Sequence, residues 1–348
     1  MPMSGRDRQL AAISHTLADR LPVDAICVEN QADIARLLDI PTDAVLDRLG
    51  LDGRIISAPY TGEAPVLPTG QPLTEWRVPL VDDYGTARAY PLATAESLAE
   101  IERFPWPSPD DYDYALAAEA AHALNPRYAV RGPYWVPLIC RVFDLVGMEQ
   151  AMVWMTAEPA LFEAVLERAT TFTEVFCERL LTACGDAMPF LCLGDDFATQ
   201  RGLMVSPALW RRWLKPRLAR VFAVGKRLGK HVWFHSCGDI TAVLPDLLDI
   251  GMDVWETVQL HALPLSASDL KREYGAHLTF FGGVNTQRLP FVTPEQVRAE
   301  VRACIEVLGR DGGYICGPDH HIKPDVPAAN AVALFDDARA YRGTGYTL

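Results

Sequence analysis

At 348 residues with 49% hydrophobic content, the chain carries enough apolar material for one large core or two small ones. A net charge of −13, with no Lys/Arg-rich run, argues against nucleic acid or an anionic membrane surface as partner. No apolar stretch approaches the roughly 18 residues of a membrane span, and the polar start lacks the hydrophobic region of an export signal. A cytoplasmic protein with no membrane attachment is therefore expected. Its eight cysteines show no regular spacing and no Cys-x-x-Cys, which fits reduced and mostly buried thiols better than a disulfide framework.

Residues 1–110 read as an N-terminal helical and irregular extension packed on the rest, with turn-rich pieces such as Ala58-Pro59-Tyr60-Thr61-Gly62 and Pro105-Trp106-Pro107-Ser108-Pro109. One or two barrel strands are expected there, residues 24–28 being the better candidate. From about residue 128, short apolar runs at 128–132, 190–194, 231–235, 253–258, 278–283 and 313–316 alternate with helical patterns. Leu161, Val165, Phe172, Phe176 and Leu180 recur at helical spacing after Pro159. Ser206-Pro207 resembles an N-cap followed by Pro at the first helical position, with Leu209, Trp213, Leu214, Leu218, Val221 and Phe222 on one face. Thr293-Pro294-Glu295-Gln296 is a capping box. Six strands alternating with helices, plus those of the first segment, predict a single (β/α)8 TIM barrel forming one structural domain, its main part in residues 111–348. No Gly-x-Gly-x-x-Gly points to a dinucleotide fold.

The barrel localises the chemistry, because catalytic groups on this fold sit where strands end. The run 230–238 ends in His235-Ser236-Cys237, and residues two apart in an extended chain project to one side. Imidazole with thiolate suits a borderline-soft ion such as Zn²⁺ better than Mg²⁺ or Ca²⁺. The other strand ends supply Asp195 and Asp196, Glu256, Asn285 and Gln287, and Cys316 with Asp319, His320 and His321. Each has a bland alternative: a helix cap for the Asp pair, a surface ion pair for Glu256, a solvated loop for the His pair, core packing for Cys316. Cys140, Cys177, Cys192 and Cys304 are assigned to packing.

Together, Gly194-Asp195-Asp196-Phe197-Ala198-Thr199-Gln200, the Ser206-Pro207 helix, His235-Ser236-Cys237-Gly238, Gly282-Gly283-Val284-Asn285-Thr286-Gln287, and the stretch from Pro318-Asp319-His320 to Asp325-Val326-Pro327 resemble the uroporphyrinogen decarboxylase superfamily. They look most like its zinc- and corrinoid-dependent methyltransferase branch. The resemblance implies zinc on His235, Cys237 and a third ligand. Counted back from Pro327, that position falls on His320, with Cys316 in reserve and Glu256 where related enzymes can supply a carboxylate. It further implies a corrinoid, on a partner protein or bound free, and a small methyl donor or thiol acceptor, with Asp195, Asp196, Asn285 and Gln287 orienting it. A homodimer is compatible with this. The chain departs from true decarboxylases in lacking an N-terminal Arg-rich motif to grip carboxylates. A related lyase acting on a carboxylated small molecule is the alternative.

Overall fold

The computed structural model describes residues 2–79, 89–343, 345 and 346. Among the described residues nine strands form: β1 (Gly53–Ile55), β2 (Ala129–Tyr134), β3 (Phe190–Gly194), β4 (Ala198–Thr199), β5 (Gly202–Leu203), β6 (His231–His235), β7 (Val254–Val258), β8 (Thr279–Val284) and β9 (Tyr314–Pro318). β4 and β5 make a separate small hairpin, and the other seven run parallel in the order β1-β2-β3-β6-β7-β8-β9. The ring is closed by the segment predicted as an early strand. Val23 bridges Cys316 and Val28 bridges Ile322, both in parallel. On the other side, the Asp52 amide donates to the Val23 carbonyl at 2.9 Å, so the first fifty residues join β9 to β1. Part of the N-terminal segment is thus woven into the barrel wall.

Side-chain alternation sorts the two layers. Phe190, Cys192, Trp233, Val254, Phe281 and Ile315 fill the barrel interior. Leu191, Val232, Phe234, Trp255, Phe280 and Cys316 point outward to the helices. The helix Gly5–Ile13, opened by a reciprocal Ser4/Asp7 capping box, contributes Ala12 and Ile13 to the interior, and the Thr279 hydroxyl donates to the Ala12 carbonyl at 3.3 Å. This helix plugs the N-terminal end.

The helix Pro159–Cys184 and the Thr293/Gln296 capping box lie where the pattern placed them. The apolar face from Leu209 to Phe222 does not belong to one helix. Pro207–Trp213 and Lys215–Arg227 are separate helices, because Pro216 lacks an amide to donate backward and its ring disfavours helical continuation before it.

Candidate metal centre at the barrel mouth

β6 and β7 present the centre. Trp233 and His235 share the inward face of β6, and Glu256 faces them from the neighbouring strand, in register with His235. A register irregularity between Glu256 and Val258 is the kind of local break that re-aims a side chain beside a site. The buried Glu256 carboxylate takes two contacts: Trp233 Nε1 donates to Oε2 at 2.6 Å, and His235 Nδ1 lies 3.0 Å from Oε1. Since the carboxylate can only accept, Nδ1 carries a proton, which leaves Nε2 as the nitrogen that can ligate an ion once its own proton is released. That nitrogen faces Cys237 Sγ at 3.5 Å.

The Cys237 loop is pinned from both sides. Its amide donates to Asp196 Oδ1 at 2.7 Å, and the Gly238 amide donates to Gln259 Oε1 at 2.8 Å. His320 arrives from the loop after β9, its ring centroid 6.0 Å from that of His235. Potential ligand atoms of His235, Cys237 and His320 all lie within 4.8 Å of one another. Tetrahedral Zn²⁺ with bonds of about 2.0–2.3 Å needs ligand atoms roughly 3.3–3.8 Å apart. The His235–Cys237 pair already has that spacing, so the donor set fits a zinc ion.

Electrostatics suit the same role. Burial lowers His320 to about 4, helped by His235 and His321, so its imidazole is neutral at physiological pH. Burial pushes the Cys237 thiol up, opposed by His235. Burial opposes the His235 imidazolium, yet Cys237, Glu256 and Asp196 together raise it well above its ordinary value. Burial likewise opposes ionised Glu256, but His235, Arg131 and Trp233 hold it below the usual carboxylate range.

Not every residue singled out from the sequence reaches the centre. Asp195 accepts from the Ile139 and Cys140 amides at 2.9 and 3.0 Å; it fastens the start of the Ile139–Val146 helix. Asp196 is the acid beside the cluster, 3.7 Å from His235 Nε2. Asn285 Oδ1 is taken by the Gln287 amide at 2.9 Å, and Gln287 itself is exposed. Cys316 is fully buried on the outward face of β9. Glu256 contacts the back of His235 rather than joining the three clustered donors.

Asp319 was singled out from the sequence, whereas the other contributors around the cluster carried no motif. Gln259 reaches Cys237 Sγ at 4.0 Å. Asp319 holds the Thr286 amide and hydroxyl at 2.9 and 2.7 Å and lies 3.3 Å from His261. Tyr134 and Trp135 each stand edge-on to the His235 ring, centroids 5.9 Å away. Beneath the centre, fully buried Arg131 pairs with Asp24 at 2.5 Å and lies 4.7 Å over the Trp233 ring. Beside it, Cys27, Glu29 and His321 form a second compact group, but Lys323 Nζ sits 3.1 Å from Glu29, where it competes with any cation.

Barrel and mouth together define an enzyme-type (β/α)8 scaffold with a metal-capable centre at its C-terminal face. Residues 96–341 match the family described as Uroporphyrinogen decarboxylase (URO-D), well over half of the chain, and the protein belongs to that family. Among solved structures it is similar to a methyltransferase from Methanosarcina mazei, with a TM-score of 0.66 and 20% identity, covering 97% of this chain and 98% of that one. At that identity the likeness speaks for the fold. A psychrophilic family 10 endo-β-1,4-xylanase aligns at a TM-score of 0.27 and 9% identity over 62% of this chain and 79% of its own, too distant to carry an argument. No curated protein matches. No helix among the described residues is long and apolar enough to cross a membrane.

Proposed function

We propose that this protein is a zinc-dependent methyltransferase moving a methyl group between a small substrate and a corrinoid held by a separate protein. The observation that carries the reading is the convergence of His235, Cys237 and His320 at the barrel mouth. The name of the Methanosarcina structure, a methyltransferase, supports it. Zinc bound there would supply Lewis acidity toward the atom bearing the methyl group. Two imidazoles and one thiolate leave the centre less anionic than a thiolate-rich set, which favours polarising the oxygen of a methyl donor over activating a thiol acceptor.

The chain's own residues do the positioning. Glu256 holds the proton on His235 Nδ1 and so fixes the ring. Asp196 and Gln259 set the Cys237 loop, and Asp196 is the side chain placed to orient substrate. Tyr134 and Trp135 shield His235 from water. The lyase alternative needs cations to grip carboxylates, and Arg131, inside the barrel, is engaged with Asp24. A reducing cytoplasm suits the free Cys237.

The test is metal content after purification without added zinc. About one zinc per chain is expected, and falls away in Cys237→Ala with the far-UV circular dichroism preserved, because in a chain of this length the core rather than an ion supplies most folding free energy. Absence of metal in the wild-type protein refutes the proposal.

A further inference from the structure

Beside the metal cluster lies a chamber of about 220 Å³ between the loops after β1 and β2, roofed by the segment around Glu75 and Trp76 and backed by the Pro159–Cys184 helix. Trp135 is common to both: it lines the chamber and stands against His235. Two features hold it there. Tyr134, just before it, adopts a φ of 86°, a conformation costly for a bulky non-glycine residue and found where function requires it. Gly194 leaves room for it, since a Cβ at that position would lie 2.6 Å from the indole ring.

One wall of the lining is aromatic, while Ser57, Glu75, Arg141 and Thr173 make much of the rest polar. Trp76, Tyr112, Phe172 and Phe176 contact one another edge-on or stacked, with centroids 4.7–5.9 Å apart. Its two charged members, Glu75 and Arg141, have opposite signs: the Tyr112 hydroxyl donates to Glu75 at 3.1 Å, and Arg141 pairs with Asp144 at 3.2 Å while lying over Trp76. A chamber with balanced charge favours a neutral occupant. By size alone, since a cavity of about 150 Å³ holds benzene, this volume has room for a benzene ring with two or three further heavy atoms.

We propose that the chamber seats the aromatic ring of a small, neutral aryl methyl ether, with its methoxy group directed past Trp135 toward the metal cluster. The ring site rests on the chamber alone; its role as the donor site rests on the methyl-transfer reading above.

Methoxybenzene titrated into the purified protein, with and without zinc, tests this by saturation-transfer NMR and calorimetry. Binding should weaken at least tenfold in Ser57→Phe, which fills the rim from an exposed position, and in Thr173→Phe, which fills the floor; should the latter misfold, the former still decides. Zinc content should stay unchanged. Methoxycyclohexane, similar in size but without a π face, should bind about 3- to 10-fold more weakly. Binding that neither filling variant weakens, or equal binding of the two ethers, overturns the assignment. Tighter binding of 4-methoxybenzoate than of methoxybenzene overturns its neutrality. Chamber binding by a protein that holds no zinc keeps the ring site and refutes methyl transfer, whereas zinc without methoxybenzene binding does the reverse.

Discussion

Glu256→Gln isolates the part of the centre that depends on a single proton. Trp233 Nε1 can only donate, so the carboxamide oxygen must occupy the Oε2 place, 2.6 Å from it. The carboxamide NH₂ then falls at the Oε1 place, 3.0 Å from His235 Nδ1. Facing a donor, Nδ1 must become the acceptor, which keeps the imidazole proton on Nε2 and denies that nitrogen the lone pair an ion needs. The alternative amide orientation leaves a buried N–H against the indole N–H. Either way a charge-assisted hydrogen bond worth about 1.5–3 kcal/mol is lost. Zinc affinity should therefore fall about 10- to 100-fold, the range typical for partners that orient a ligating histidine. Competition against a chromophoric chelator at constant pH measures it, with circular dichroism confirming an intact barrel. An affinity within twofold of wild type would show that Glu256 does not govern His235, and would remove the argument that Nε2 is the ligating nitrogen.

Other outcomes follow from the same geometry. His320→Ala should weaken zinc binding, whereas Cys316→Ser, on the outward face of β9, should retain zinc and cost about 1 kcal/mol or more through a polar group placed in the helix layer; metal titration of both variants decides, and the reverse pattern would restore a thiol-methylating centre. Zinc affinity should rise with pH: burial holds the Cys237 thiol protonated above its ordinary range, so binding must displace that proton, and each unit of acidification should cost about tenfold per proton displaced. A flat profile in a cobalt-substituted titration would contradict the thiolate ligand. Arg131→Met should destabilise by about 3–5 kcal/mol because it strands buried Asp24. The Asp24→Leu/Arg131→Met double variant should recover part of this in urea unfolding, and no recovery would show that the pair is not the unit.

Local signals carry far in this chain. Apolar runs bounded by turns marked the six parallel strands β2, β3, β6, β7, β8 and β9 to within a residue or two, since buried parallel strands must be apolar on both faces, but not the two-residue strands β4 and β5. Caps marked helix starts because orphan amides need nearby acceptors. His235 and Cys237 were legible because they stand two apart where an apolar strand ends, although Cys237 itself lies in the loop just beyond β6. Where a motif was local but its use was not, sequence was ambiguous. Asp195 and Asp196 are adjacent and chemically identical, yet one fastens a helix start and the other the Cys237 loop.

What only the tertiary structure decided concerns partners far apart in the chain. Cys316 is the softer donor, but period-two alternation together with barrel closure turns it outward, while His320, four residues on, has left the strand and reaches across the mouth. Glu256 is drawn to His235 by strand register, and Trp233, Arg131 and Asp24 lie beneath it because three strands and an N-terminal segment converge inside one closed ring. Gln259, His261 and Trp135 carry no spacing signature, for their roles come from loops that meet in space. Strand period and ligand chemistry are properties of short segments and can be read along the chain. Which carboxylate backs which imidazole, and which aromatic rings enclose a chamber, depend on how a barrel closes.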